Sequence, residues 1–280
     1  MNKIIKKEML ATNVLKMVVE APEIAKMRKA GQFIILRIDD EGERIPLTIA
    51  DADAKAGTIT LIAQVVGKTT AHLSRLSEGD SILDIAGPLG KPTHIEKFGT
   101  VVCIGGGIGI APMHPIAQAL KAAGNRVISI LGARNKALLI MEEELRKASD
   151  EVVIVTDDGT YGKKGFVTDA LKELVDKGLT INLVVAIGPP IMMKMVSKLT
   201  LQFKLKTLVS LNTIMIDGTG MCGGCRVTIG GKPKFVCVDG PEFDGHEVDF
   251  DEMMRRLNMY RDSEKAAFAR YSEKHDCKLG

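Results

Sequence analysis

The chain has 280 residues, 45% of them hydrophobic and 26% charged; the length suggests roughly two domains of ~150 residues, and the proportions exclude disorder, collagen and coiled coil. Its 38 basic and 35 acidic residues leave a net charge of +3, with aromatics at 4% and no Trp, which argues against a nucleic-acid partner or a base-stacking surface. No apolar run approaches the roughly 18–20 residues of a membrane helix, and the opening residues, with Lys3, Lys6 and Lys7, lack a signal-peptide core, so no membrane partner and a cytoplasmic location are expected.

Residues 1–98 read as short strands, at 14–19, 32–38 and 58–65, separated by Gly and Asp clusters at 39–42, 51–57 and 78–80. That spacing predicts a small antiparallel barrel, interrupted by a helix over 70–76. From about residue 99 the period changes. Strands are predicted at 101–104, 127–131, 152–155 and 183–187. Helices are predicted at 113–123, 142–148, 168–177 and 191–199, with Gly124 and Gly178 as C-terminal caps. Strands alternating with helices predict a mostly parallel sheet over 99–205. A Gly- and Cys-rich module follows over 206–245, and a charged, helix-prone tail closes the chain over 246–280. The fold class is thus a β-barrel plus an α/β domain with a small C-terminal module.

The five cysteines are Cys103, Cys222, Cys225, Cys237 and Cys277. An odd count does not suggest a disulfide framework. Asp217, Cys222, Cys225 and Cys237 follow the pattern Asp-x4-Cys-x2-Cys-x11-Cys. Plant-type [2Fe–2S] sites use Cys-x4-Cys-x2-Cys and a distant fourth Cys; here Asp217 stands where the first Cys belongs. A carboxylate oxygen can ligate iron, and Gly218, Gly220, Gly223 and Gly224 suit a tight binding loop. Two other readings stay open: ordinary thiols, or a zinc site of Cys222, Cys225, Cys237 and His246. Cys103, in a predicted core strand, reads as a small hydrophobe, and Cys277 as a bystander.

The segment GGGIGIAP, which contains Gly105, Gly106, Gly107, Gly109, Ala111 and Pro112, follows an apolar strand and precedes a helix. Glycines there let the backbone approach a pyrophosphate, and the helix N-terminus favours its charge. The usual third Gly is replaced by Ile110 or Pro112, so a βα turn without ligand is the competing reading. Asp157 follows a predicted strand, where a carboxylate can meet a ribose hydroxyl or simply form a solvated turn with Asp158 and Gly159.

These motifs occur together with Arg44-Ile45-Pro46-Leu47-Thr48 and Gly188-Pro189-Pro190-Ile191-Met192-Met193-Lys194. The combination resembles the ferredoxin-reductase flavoprotein family over nearly the whole chain. Within it, the chain is similar to dihydroorotate dehydrogenase electron-transfer subunits. Asp217 and the run GPEFDGHEVDFDE at 240–252 are most similar to one branch, the small subunits of NADH-dependent reduced ferredoxin:NADP+ oxidoreductases.

The resemblance implies an FAD site in which Arg44 pairs with the pyrophosphate and Pro46, Leu47 and Thr48 line the isoalloxazine. Gly67, Lys68, Thr69 and Thr70 would hold the phosphates at a helix start. NAD(H) would use the Gly-rich turn with Gly188 and Pro189, where Ile187 replaces the family's Cys. Arg134 would meet a phosphate of the nucleotide or remain a surface residue. FAD and the cluster, rather than any side chain, carry the chemistry. The partner implied is a larger flavoprotein subunit with [4Fe–4S] clusters, in an assembly that bifurcates electrons. The alternatives are the electron-transfer subunit of another dehydrogenase and a zinc-containing nucleotide-binding module.

Overall fold

The computed structural model describes residues 1–276, with side chains through Glu273; Cys277 lies outside the described residues. The first sheet contains β1 (Asn2–Ala11), β2 (Val14–Glu20), β3 (Phe33–Arg37), β4 (Ile45–Asp53), β5 (Thr58–Gln64), β6 (Ser81–Ile82) and β7 (Asp84–Leu89). Helix α1 (Pro22–Met27) and helix α2 (Lys68–Arg75) interrupt it. The order is β6-β1-β2-β5-β4-β3-β7, and its strand pairings are antiparallel. The two edge strands are separated in sequence by Leu83 alone, whose N–H donates to Ile38 O at 3.0 Å. The edges therefore meet and the sheet curls into a barrel. Ile4, Leu15, Met17, Val19, Ile34, Leu36, Ile59 and Leu61 fill it. Burying each such side chain contributes about 1.5–3 kcal/mol.

The second sheet holds five parallel strands at its centre: β8 (Thr100–Gly106), β9 (Arg126–Ala133), β10 (Glu151–Thr156), β12 (Leu183–Ile187) and β13 (Thr207–Ser210). Short β11 (Lys163–Lys164) adds one edge, and β16 (Glu242–Asp244) pairs antiparallel with β13 at the other. The connecting helices are α3 (Ile110–Ala122), α4 (Glu142–Ala148), α5 (Val167–Asp176) and α6 (Pro190–Gln202). The central strands are buried on both faces, as in any sheet covered by helices on each side. The order β11-β10-β9-β8-β12-β13-β16 runs from β8 to β9 one way and to β12 the other. The crevice between the ends of β8 and β12 is thus a topological switch point, where open α/β sheets bind ligands.

Between β13 and β16 the chain leaves this sheet. It forms the hairpin β14 (Arg226–Ile229) and β15 (Lys232–Phe235) and the short helix α7 (Val236–Asp239). The Cys module is thus an excursion between two paired strands, fixed at both ends to the sheet edge. The tail, expected as one helix-prone segment, folds as two helices, α8 (Phe250–Leu257) and α9 (Arg261–Asp276), broken at 258–260. Asp249 caps α8 by accepting from Glu252 N–H at 2.8 Å.

The two sheets pack closely. Helix α3 lies against β4, and Ala50, Ile62 and Val14 of the barrel join the core around Ile110 and Met113. His114 on α3 places Nδ1 3.3 Å from Ala50 O, and burial keeps its pKa below the usual imidazole value. A neutral imidazole donating from Nδ1 satisfies that carbonyl. Among the described residues no helix is long and apolar enough to cross a membrane.

Candidate functional site

The two flavin elements named from the sequence are adjacent. Pro46, Leu47 and Thr48 lie on β4, paired with Ile35, Ile34 and Phe33 of β3. Glu43, just before this strand, accepts a hydrogen bond from Thr69 Oγ1 at 2.9 Å and lies 3.6 Å from Lys68 Nζ. The start of α2 is therefore held against the start of β4. Thr70 Oγ1 accepts from Val66 N–H at 3.0 Å and Gly67 N–H at 3.1 Å, which fixes the turn. Arg44 is exposed and has no hydrogen-bond or ion-pair partner among the described residues. Gly67 faces open space, with no atom within 4 Å of a β-carbon built there. An open Gly, a helix N-terminus and an exposed guanidinium are each chemistry suited to a dinucleotide diphosphate.

At the second candidate site, Gly105 and Gly106 end β8, Gly107–Gly109 form one 3-10 turn, and α3 starts at Ile110. The helix thus begins before the predicted residue 113, with Ala111 and Pro112 in its first turn. Gly107 takes φ 55° beside open space. Gly109 is a close-approach position, since a β-carbon would stand 2.3 Å from Ile187 O. A β-carbon on Gly106 would meet Met192 Sδ at 2.3 Å. The Gly-rich turn and the Gly188-Pro189 turn therefore pack on one another across the switch point. Arg134 and Asp157 are exposed at the ends of β9 and β10. Backbone bonds link the two segments, Asp157 N–H to Ala133 O at 3.1 Å and Asp158 N–H to Arg134 O at 3.3 Å. All the nucleotide candidates share the C-terminal edge of the sheet.

The third site is the Cys module. Its four candidate donors divide into two pairs. Cys225 and Cys237 are buried with sulfurs 3.2 Å apart. Burial, with the hydrogen bond and charge of Cys225, pushes the Cys237 thiol up to about 12. A cation bound at Cys237 would supply the charge that favours its thiolate. Asp217 and Cys222 form the outer pair. Asp217 accepts backbone N–H groups of Thr219 at 3.0 Å, Met221 at 3.0 Å and Cys222 at 2.8 Å. The Thr219 N–H above all, with those of Cys222 and Met221, holds its carboxyl below the usual range. Three such bonds leave one of about four lone-pair positions. The Cys222 N–H is one of these donors, which brings the two outer residues together.

Two pairs of donors are what a two-iron cluster requires, because each iron takes two protein ligands. The zinc alternative lacks its fourth donor in place. His246 of the zinc reading is engaged elsewhere, with Nε2 3.0 Å from Thr200 Oγ1 and Nδ1 3.6 Å from Asp244. Cys103 sits wholly buried in β8, where burial pushes its thiol up to about 12 and leaves it inert.

The flavin strand and the Cys module are close neighbours. A β-carbon on Gly218, next to Asp217, would stand 2.6 Å from Leu89 Cδ1 and 2.9 Å from Ile35 Cγ1. Ile35 is the register partner of Pro46. One strand of the barrel therefore separates the candidate cluster ligand from the residues that line the candidate flavin site. The sequence does not show this contact, nor the Glu43 bridge to Lys68 and Thr69. Both join residues far apart in the chain, and only the small residue at 218 hints at a close approach.

Comparison with known proteins agrees with this division. Residues 2–94 match the oxidoreductase FAD-binding domain, 103–198 the oxidoreductase NAD-binding domain, and 212–249 the iron–sulfur cluster binding domain of dihydroorotate dehydrogenase B. A dihydroorotate dehydrogenase B (NAD(+)) electron transfer subunit homolog from Thermotoga maritima is 49% identical over 271 residues, covering 97% of this chain and 95% of that protein. The dihydroorotate dehydrogenase B (NAD(+)) electron transfer subunit of Geobacillus thermodenitrificans is 32% identical, covering 88% and 96%. A chain from a structure of NADH-dependent reduced ferredoxin-NADP oxidoreductase, solved to study flavin-based electron bifurcation, is 48% identical. It superposes with a TM-score of 0.92 over 97% of this chain and 98% of that one. The chain thus belongs to the electron-transfer subunit family of dihydroorotate dehydrogenase B, oxidoreductase subunits with an FAD-binding barrel, an NAD-binding domain and an iron–sulfur domain.

Proposed function

We propose that this chain is the small subunit of an electron-bifurcating NADH-dependent ferredoxin:NADP+ oxidoreductase, and that Asp217, Cys222, Cys225 and Cys237 hold a [2Fe–2S] cluster. The observation that carries the relay is the contact of Gly218 with Ile35, whose register partner is Pro46. When bound, FAD would supply the chemistry that joins two-electron hydride exchange with NAD(H) to one-electron exchange with the cluster.

The protein's part is to bind and to orient. Arg44, Gly67, Lys68, Thr69 and Thr70 take the flavin diphosphate, with Arg44 supplying a planar guanidinium suited to paired phosphate oxygens. Pro46, Leu47 and Thr48 present one strand to the isoalloxazine. Gly105, Gly106, Gly107 and Gly109, with Ala111 and Pro112, cradle the nicotinamide nucleotide at the start of α3. Gly188 and Pro189 close that crevice, and Arg134 and Asp157 meet its polar groups. The bond from His114 to Ala50 O ties the nucleotide helix to the flavin strand.

The buried pair Cys225 and Cys237 would hold one iron, and Asp217 with Cys222 the other. Ile216, Met221 and Val238 are exposed apolar side chains beside the outer pair, Met221 by 88%. That rim supports a docking face for a larger flavoprotein subunit, whose further flavin and [4Fe–4S] clusters would handle NADP(H) and ferredoxin. The same rim suits a second reading, the electron-transfer subunit of a dihydroorotate dehydrogenase, which the names of several relatives favour. Asp217 and the run at 240–252, which carry the resemblance to the first branch, favour the first.

Co-purification from the native host separates the two. The first reading expects a partner that reduces NADP+ with NADH and reduced ferredoxin. Recovery of a dihydroorotate-oxidising partner instead would overturn it. For the flavin site, Arg44→Ala is expected to lose FAD on dialysis, and full retention contradicts the contact.

A further inference from the structure

Helix α9 packs on α2, the helix whose first turn opens the candidate flavin diphosphate site. The Tyr271 ring lies 5.8 Å from the His72 ring, centroid to centroid, and Arg75 Cζ stands 5.0 Å from the Tyr271 centroid. His72 Nδ1 is in turn 3.7 Å from Asp39 Oδ2, on the loop that leads to Arg44. Tyr271 therefore touches the helix that carries one flavin element and, through His72, borders the loop that carries the other.

Helix α2 needs that support. It has eight residues, and helices this short are marginal without tertiary packing. Thr69, Ala71 and Leu73 are its buried residues, with Leu73 in the barrel core. His72 and Arg75 meet α9 through Tyr271. The other end of the C-terminal segment is fixed elsewhere. Lys194 Nζ donates to Asp251 at 2.5 Å, and Thr228 N–H donates to Glu252 at 3.1 Å. These bonds hold α8 to α6 and to the Cys module. One segment thus runs from the nucleotide and cluster domains back to the barrel.

We propose that α9 is a flavin-retention strap and that Tyr271 is its positioning residue, holding α2 so that the first-turn N–H groups stay aimed at the FAD diphosphate. This rests on the reading of Gly67, Lys68, Thr69 and Thr70 as the diphosphate site. The strap does not act on the flavin directly. It limits fraying of α2, which would withdraw the donors and open a path for FAD to leave.

The test is the rate of FAD release from the full-length purified chain, followed by recovery of flavin fluorescence on dilution. A tilted ring contact and a cation–π contact of this kind lead us to expect about a fivefold faster release in Tyr271→Ala. Tyr271→Phe, which keeps both ring contacts, is expected to stay within about twofold of the parent. Arg44→Ala serves as the control for the site itself and is expected to lose FAD. Parent-like release from Tyr271→Ala, with loss from Arg44→Ala, overturns the strap and leaves the site reading intact. Retention of FAD by Arg44→Ala as well overturns the site reading, and the strap with it. Equal loosening in Tyr271→Phe and Tyr271→Ala contradicts the ring contacts as the cause. A loss of iron and of far-UV circular dichroism in Tyr271→Ala contradicts a role confined to α2.

Discussion

Gly218 packs against the barrel so closely that a β-carbon there would stand 2.6 Å from Leu89 Cδ1. Gly218 also has φ 75°, a conformation that L side chains rarely adopt. Close approach and backbone angle both require glycine, and both act at the residue after Asp217. Gly218→Val is expected to push the loop off β3 and to lower iron content by more than half relative to the parent. Iron analysis and visible absorption check this; a fully loaded variant contradicts the packing argument.

Asp217 is held ionised by three backbone N–H groups. Asp217→Ala removes the proposed ligand and releases those donors, each about 0.5–1.5 kcal/mol as a net hydrogen bond. The variant is expected to lose the cluster or bind it weakly, whereas Asp217→Cys is expected to keep it. Unchanged iron and spectrum in Asp217→Ala would sink the ligand assignment.

The Gly-rich turn separates two effects of a single methyl group. In Gly109→Ala the added carbon meets Ile187 O at 2.3 Å, so the 3-10 turn and the Gly188 turn must move apart. In Gly107→Ala the space is open but φ is 55°, which costs roughly 1–2 kcal/mol of backbone strain. Gly109→Ala is expected to weaken NADH binding at least tenfold and Gly107→Ala to a smaller degree. Isothermal titration of the flavin-loaded protein measures both, and the reverse ranking contradicts the geometry.

Glu242 on β16 gives a pH signature. Burial, partly offset by the Thr93 hydroxyl at 2.5 Å, raises its carboxyl to about 7 from the ordinary 4.5. The folded chain then holds a proton that the unfolded chain has released between pH 4.5 and 7. Stability from this group is fully present below about 4.5 and is lost as pH rises through about 7. Glu242→Gln is expected to stabilise the protein by on the order of 2 kcal/mol at about pH 8 and to change little at about pH 4.5. Thermal melts at the two values check the difference, and equal shifts at both contradict the titration.

The α/β half is legible in the sequence because its central strands are buried on both faces and read as continuous apolar runs, such as Leu183 through Ile187. Helix α4 spans Glu142–Ala148, the range predicted for it. The barrel is less legible. Strand β1 carries Lys3, Lys6, Lys7 and Glu8, a composition that hides alternation, and its identity comes from pairing with β2 and β6. Strand β4 carries Pro46 and is implied only by family resemblance. For the Cys module, spacing names the four candidate donors. Their division into an inner and an outer pair comes from packing, as does the turning of His246 to Thr200. Contacts that join distant segments, such as Glu43 with Thr69 and Tyr271 with His72, have no local signal in the sequence.

The most direct test of the relay is an anaerobic NADH titration of the purified chain, followed by visible absorption and low-temperature EPR. The account predicts bleaching of a flavin band by NADH and an S = 1/2 signal from the reduced cluster, which Asp217→Ala loses. Flavin bleaching without a cluster signal, with zinc in place of iron by metal analysis, would contradict the relay and leave a two-electron NADH:flavin enzyme with a structural metal.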